Sequence, residues 1–143
     1  MGLRVEENVA LVRRLYEEVD KGNVEALDEL VSSAYVDHNP LPAPGLSSGM
    51  AGLKAAFEMF TAGFADSRHV VEDVIAANDK VVVRVTGTGT HSGGFLGVPP
   101  TGKAVRMTGI AIYRIARGKI VEKWGEQDRL GILQQLGVIP PPP

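Results

Sequence analysis

Helix-spaced apolar stripes fill the first half of the chain and alternating β-rich segments fill the second, which predicts an α+β fold. The expected order is three helices, a mostly antiparallel sheet, then one short helix. A twisted, strongly curved sheet with helices closing its concave face makes a cone. The chain has 143 residues, of which 44% are hydrophobic, so it is read as one domain over residues 1–143 with a Pro-rich tail at 138–143. Only 6% of residues are aromatic, so the core is expected to be mostly aliphatic.

The first stripe runs from Glu6 to Asp20 through Val9, Val12, Tyr16 and Val19, widened by Leu11 and Leu15. Gly22 stands where a helix C-terminal glycine belongs, and Asn23 is placed to cap a second helix over Val24–Val31. Pro40 holds Asn39 extended before a loop rich in Pro, Gly and Ser. A third helix is expected over Met50–Phe64, with Met50, Leu53, Phe57, Phe60 and Phe64 on its core face. The period then changes. Val70–Ala76, Lys80–Thr90, Val105–Ile115 and Lys119–Gln127 read as strands, with hairpin turns at Asn78-Asp79 and Arg117-Gly118. The glycine- and proline-rich connection His91–Lys103 is either a crossover or a lip over a cavity. A helix over Arg129–Leu136, stopped by Gly137, closes the chain.

Composition removes several classes of function. A formal charge of −2 and a pI near 5.9 give no general attraction to nucleic acid or anionic lipid. The chain has no cysteine, so disulfides and thiolate chemistry are excluded. His38, His69 and His91 stand at no metal-ligand spacing, so no metal is expected. No membrane-length apolar run and no signal peptide are read, which makes the cytoplasm the expected compartment.

Three stretches carry a resemblance. They are His91-Ser-Gly-Gly-Phe-Leu-Gly-Val-Pro-Pro-Thr-Gly-Lys103, Tyr113-Arg-Ile-Ala-Arg-Gly-Lys-Ile-Val-Glu-Lys-Trp124 and Asp128-Arg-Leu-Gly-Ile-Leu-Gln-Gln-Leu-Gly137. With Tyr35-Val-Asp-His-Asn-Pro40 and the helix order, they resemble the SnoaL-like polyketide (ester) cyclases of the nuclear transport factor 2-like superfamily over Glu6–Gly137. The resemblance implies a cone or α+β barrel with an internal cavity for a small organic molecule, and a homodimer formed through the sheet. It implies an intramolecular aldol ring closure, or a related isomerisation or elimination, without metal or cofactor. The family's general acid/base aspartate falls on Asp128. The family's cyclases also set a glutamine and a histidine on the preceding strand; the matching positions here are Gly109 and Ala111.

The residues themselves qualify these roles. A carboxylate buried beside Trp124 would have its charged form destabilised and act as a base. Asp128 shares strand parity with Trp124 and Ile120, and it also stands where the last helix wants an N-cap. His91 is a candidate proton shuttle or donor, or else a loop histidine bonded to backbone. His38 and Asn39 are candidates to orient a ligand, or else serve the turn before Pro40. By the family alignment, Met107, Gly109, Ala111 and Tyr113 look into the cone and leave a wide, dry pocket unless neighbouring side chains fill it. His69 is expected in solvent, and Arg84 and Lys123 on strand faces, with no arginine clearly turned inward. Ile110 and Ile112 offer an outward apolar patch for pairing. Three functions therefore stand open: a cofactor-independent acid/base enzyme, a non-catalytic dimeric ligand binder, and an epoxide hydrolase.

Overall fold

The computed structural model describes residues 2–143, with side chains from Arg4 onwards. Helix α1 spans Gly2–Lys21 and turns its Val12 and Leu15 face inward. It ends as expected at Gly22, whose φ of 72° is easy only for glycine. Gly22 N–H donates to the Val19 carbonyl and Asn23 N–H to Glu18, closing the last turn. The second helix is shorter than expected. A 3-10 turn, Val24–Ala26, leads into α2, Leu27–Leu30. Asn23 makes no side-chain cap; its amide donates to Glu18 Oε2 at 2.8 Å instead.

Val31 is not helical but opens strand β1, Val31–Asp37, which the sequence did not announce. Only Val31 and Tyr35 of this strand are buried. Its register against its neighbour slips between Val31 and Val36, so the period of two is lost. Helix α3, Met50–Gly63, is followed by β2 (Arg68–Ala77), β3 (Lys80–Thr90), β4 (Ala104–Ala116), β5 (Lys119–Gln127) and α4 (Arg129–Gln135). The sheet order is β1-β5-β4-β3-β2, parallel between β1 and β5 and antiparallel elsewhere. It is curved but not closed into a barrel; β1 and β2 remain its edges.

Both hairpin turns are present. Arg117 and Gly118 both have positive φ, the geometry that suits right-twisted strands. The His91–Lys103 connection joins neighbouring strands, so it is a flap and not a crossover. It folds back on α3, where Ser92 and Gly93 N–H donate to the Gly63 carbonyl. Phe95 then packs among Phe60, Phe64, Val105 and Ile132.

The main core lies on the concave face, where Val81, Val83, Ile115 and Ile120 meet Val12, Leu27 and Leu30. One irregularity decides which side chains join them. Ile115 pairs with Ile120 but Arg114 with Glu122, so Val121 is an extra residue in β5. Such a bulge inverts the in/out alternation beyond it. Ile120 faces inward, and after Val121 the inward positions are Lys123, Gly125 and Gln127, opposite Tyr113, Ala111 and Gly109. Among the described residues no helix is long and apolar enough to cross a membrane.

Candidate active site

Between the concave sheet and helices α1 and α3 lies a cavity of about 200 Å³. Leu15 and Val19 of α1, Leu53, Phe57 and Phe60 of α3, and Val85 of β3 give it apolar walls. Met107, Gly109, Ala111 and Tyr113 line it, on the face that the resemblance turns into the cone. Phe57, Phe60 and Phe64 serve as wall and core at once. A smaller cavity of about 80 Å³, lined by Asp37, Asn39, Ser47 and Arg129, shares Lys123, Gly125 and Gln127 with the first.

Polar groups reach the main cavity from several elements. Tyr16 of α1 and Tyr113 of β4 bring their hydroxyls to 2.7 Å. Burial holds Tyr16 up at about 12, partly offset by that hydrogen bond. Burial, with Tyr16 beside it, pushes Tyr113 well above its ordinary 10. Both therefore stay protonated at neutral pH. One hydroxyl proton serves the pair, which leaves the other free for a ligand oxygen.

His69 corrects an expectation. Strand β2 begins at Arg68, two residues earlier than predicted, so His69 pairs with Gly87 and turns inward beside Val71. It lines the cavity, with its ring 5.6 Å from that of Tyr16. Asp20 accepts from His69 Nδ1 at 2.6 Å and from its backbone N–H at 2.9 Å. A carboxylate on Nδ1 fixes the tautomer that leaves Nε2 as the proton acceptor. Gly87 lies against that edge of the ring, where a Cβ would sit at ordinary contact distance, 3.5 Å from Nε2.

Lys123 is the second group that sequence reading missed. It lines both cavities. Its chain runs over Gly125, where a Cβ would come within 3.1 Å of its Cε. Burial holds its ammonium below the ordinary 10.5; Asp37 opposes this shift and Arg129 adds to it. Gln127 Cγ occupies the space beside Gly109. The wall expected to be wide and dry thus carries a lysine and a glutamine, both supplied by β5. Arg129 also lines the smaller cavity, with a buried Nε that has no partner, so an arginine does turn inward.

The remaining expected site residues lie elsewhere. Trp124 is not a cavity wall. The Val121 bulge turns it outward, where it stacks on His38 at 4.6 Å and 5°. His38 Nε2 meets Glu122 at 2.7 Å, and Arg114 pairs with the same carboxylate. Asn39 lines the smaller cavity, with its amide bonded both ways to the Gly125 backbone. His91 is fully buried in its own loop. Its Nδ1 accepts from Thr101 N–H at 3.1 Å, while Phe64 covers its ring. Asp128 is exposed and lines neither cavity. Its carboxylate accepts from Gly131 N–H at 2.9 Å and caps α4. Gly131 is needed for this close approach, because a Cβ there would sit 2.2 Å from Oδ2.

Fold and cavity together define an α+β cone with an internal chamber. The family model of SnoaL-like polyketide cyclases matches residues 10–136, and the chain belongs to that family. It is 28% identical over 130 residues to aklanonic acid methyl ester cyclase DnrD of Streptomyces peucetius, covering 90% of each chain. Among solved structures, TsrD of Streptomyces laurentii superposes with a TM-score of 0.83 at 27% identity, over 94% of this chain and 97% of that one. IdmH of Streptomyces antibioticus gives 0.77 at 33% identity, over 91% and 98%. This membership supports a cofactor-independent cyclase role in general.

The tyrosines give a direct check on the cavity's burial. An unfolded tyrosine ionises near about 10, whereas Tyr16 is held at about 12. Above pH ~10 the unfolded chain releases this proton first, so stability falls as pH rises from about 10 to about 12. Urea midpoints across that window should drop, and less so in Tyr16→Phe. Tyrosinate absorbance of the folded protein that reaches half its final value near pH ~10 would contradict the burial.

Proposed function

We propose that this protein performs proton-transfer chemistry on a small carbonyl compound in the main cavity, leading to intramolecular aldol cyclisation. The observation that carries the reading is the convergence of the Asp20–His69 dyad and the Tyr16–Tyr113 pair on one apolar chamber. His69 Nε2 takes the proton from a carbon beside a carbonyl. The spare tyrosine hydroxyl donates to the enolate oxygen that forms, and Asp20 balances the charge on the imidazolium. The enolate carbon then adds to a second carbonyl of the same molecule. The new alkoxide recovers a proton from the imidazolium. Apolar walls strengthen each of these interactions by excluding water.

Asp128 is the competing base, marked by the family resemblance. Its exposure and its engagement with Gly131 favour His69. The two assignments separate by deuterium incorporation from D2O into aklanonic acid methyl ester, the compound named for the Streptomyces peucetius relative, and into a simple β-keto ester. His69→Gln should lower catalysed exchange by ~10²–10⁴-fold, and Asp128→Asn should leave it within a few-fold. The reverse pattern would install Asp128 as the base. Ligand retention without any exchange would make the protein a binder.

The outer face of the sheet supports a homodimer. Val70, Ile75 and Ile110 are 55%, 68% and 54% exposed on the side turned from the helices. Light scattering should return twice the chain mass of 15.2 kDa. A single-chain mass at micromolar concentration would contradict pairing.

A further inference from the structure

We propose that Lys123 is an amine nucleophile that condenses with a ketone or aldehyde carbonyl of the cavity ligand to form an imine. The inference rests on the reading of the cavity as a carbonyl-compound site. Three independent features of the molecule lead to it.

The first is placement. The Val121 bulge sets Lys123 opposite Tyr113, on the inward face. There it borders both cavities, which makes it reachable from either. The second is room. Gly125 and its partner Ala111 leave a shallow floor, and the lysine chain lies across it. The third is lack of engagement. Lys21 pairs with Glu18, Lys54 with Asp28 and Lys80 with Asp79, while Lys119 donates to the Asp28 carbonyl. The Lys123 side chain has no hydrogen bond or salt bridge among the described residues; Lys103 shares that lack but is exposed and lines neither cavity. The Lys123 amine faces the cavities without a hydrogen-bond partner, and the Asp37 carboxylate acts on it through charge alone.

The charged and titratable groups facing it are few. Asp37 stands on β1, Arg129 at the start of α4, Tyr113 on β4, Tyr16 on α1 and His69 on β2; α3 brings only Leu53, Ala56 and Phe60 to the shared walls. Burial and the Arg129 guanidinium both disfavour the ammonium form against Asp37. A desolvated lysine beside another cation is the setting in which an amine becomes a nucleophile near neutral pH.

The step balances without any co-reactant. The nitrogen lone pair adds to the carbonyl carbon, and the C=O π pair moves onto oxygen. One N–H proton passes to that oxygen, giving a carbinolamine. The hydroxyl then leaves as water with the second N–H proton while the C=N bond forms. Amine plus carbonyl thus gives imine plus water. When protonated, the imine draws electrons from the adjoining C–H bond more strongly than the carbonyl did. It would acidify the proton that His69 is placed to take.

Hexanal with sodium cyanoborohydride at neutral pH, followed by peptide mapping, tests this on the intact protein. Each unit by which an amine's pKa falls raises its free-base fraction about tenfold. Reductive alkylation should therefore label Lys123 ahead of exposed Lys80 and Lys103, and excess hexanol should block it. Hexanol entry is followed separately through the amide NMR signals of Gly109 and Gly125. If hexanol shifts those signals and Lys123 is labelled no more than the exposed lysines, the imine is overturned and the cavity reading stands. If hexanol shifts nothing, the cavity reading falls and the imine with it. Lys123→Met should keep the hexanol shifts and lose the favoured label.

Discussion

Within the β4–β5 ladder, Val121 has no opposite number, because Ile120 pairs with Ile115 and Glu122 with Arg114. The character of the cavity depends on that extra residue. Without it, regular alternation from Ile120 would turn Glu122, Trp124 and Glu126 toward the helices. With it, Lys123, Gly125 and Gln127 face inward, and the bulky or anionic side chains face out. The outward set is then satisfied on its own terms: Trp124 stacks on His38, and Glu122 takes both His38 and Arg114. A second slip, between Val71 and Asp73 in β2, leaves Glu72 as the extra residue. It keeps both His69 and Val74 on the concave face, one on either side of the slip.

Polar groups in a low-dielectric chamber are costly unless paired. The structure meets that cost by pairing inside the site. Tyr16 binds Tyr113, and Asp20 binds His69 through two hydrogen bonds. Each pair leaves one valence open: a hydroxyl proton in the first, the Nε2 lone pair in the second. Lys123 is the member without a protein partner, and burial lowers its proton affinity accordingly. The result is an arc of acceptor, donor and amine drawn from β2, α1, β4 and β5. Those elements are held by the aliphatic core beneath them.

Much of this was readable from the chain. The α+β order, α1, α3 and four strands followed from periodicity, and the two hairpins and the Gly22 and Gly137 stops followed from turn chemistry. The two faces of β4 were legible because its alternation is unbroken, and the family resemblance indicated which of them looks inward. What was illegible shares one cause: a local departure from period two. Strand β1 buries only its first and fifth residues. The bulge at Val121 reversed the parity by which Trp124 and Asp128 had been placed beside Ile120. His69 lay just outside the predicted strand, and two more residues of β2 brought it inward. The cap role weighed for Asp128 is realised, and Gly131, three residues on, is the signal that allowed it. For Lys123 the available signal was the small pair Ala111 and Gly125, which leaves space that a long side chain must fill.

The most direct test of the account is a titration of the Lys123 ε-carbon by carbon-13 NMR, assigned with Lys123→Met. An amine turned into the cavity should titrate below the ordinary 10.5, with the exposed lysines as internal references. Ligands that fill the chamber should perturb its signal. A Lys123 that titrates with the exposed lysines, at or above 10.5, would mean that the β5 side chain points to solvent. The bulge-set inward face, and the cavity chemistry drawn from it, would then be wrong.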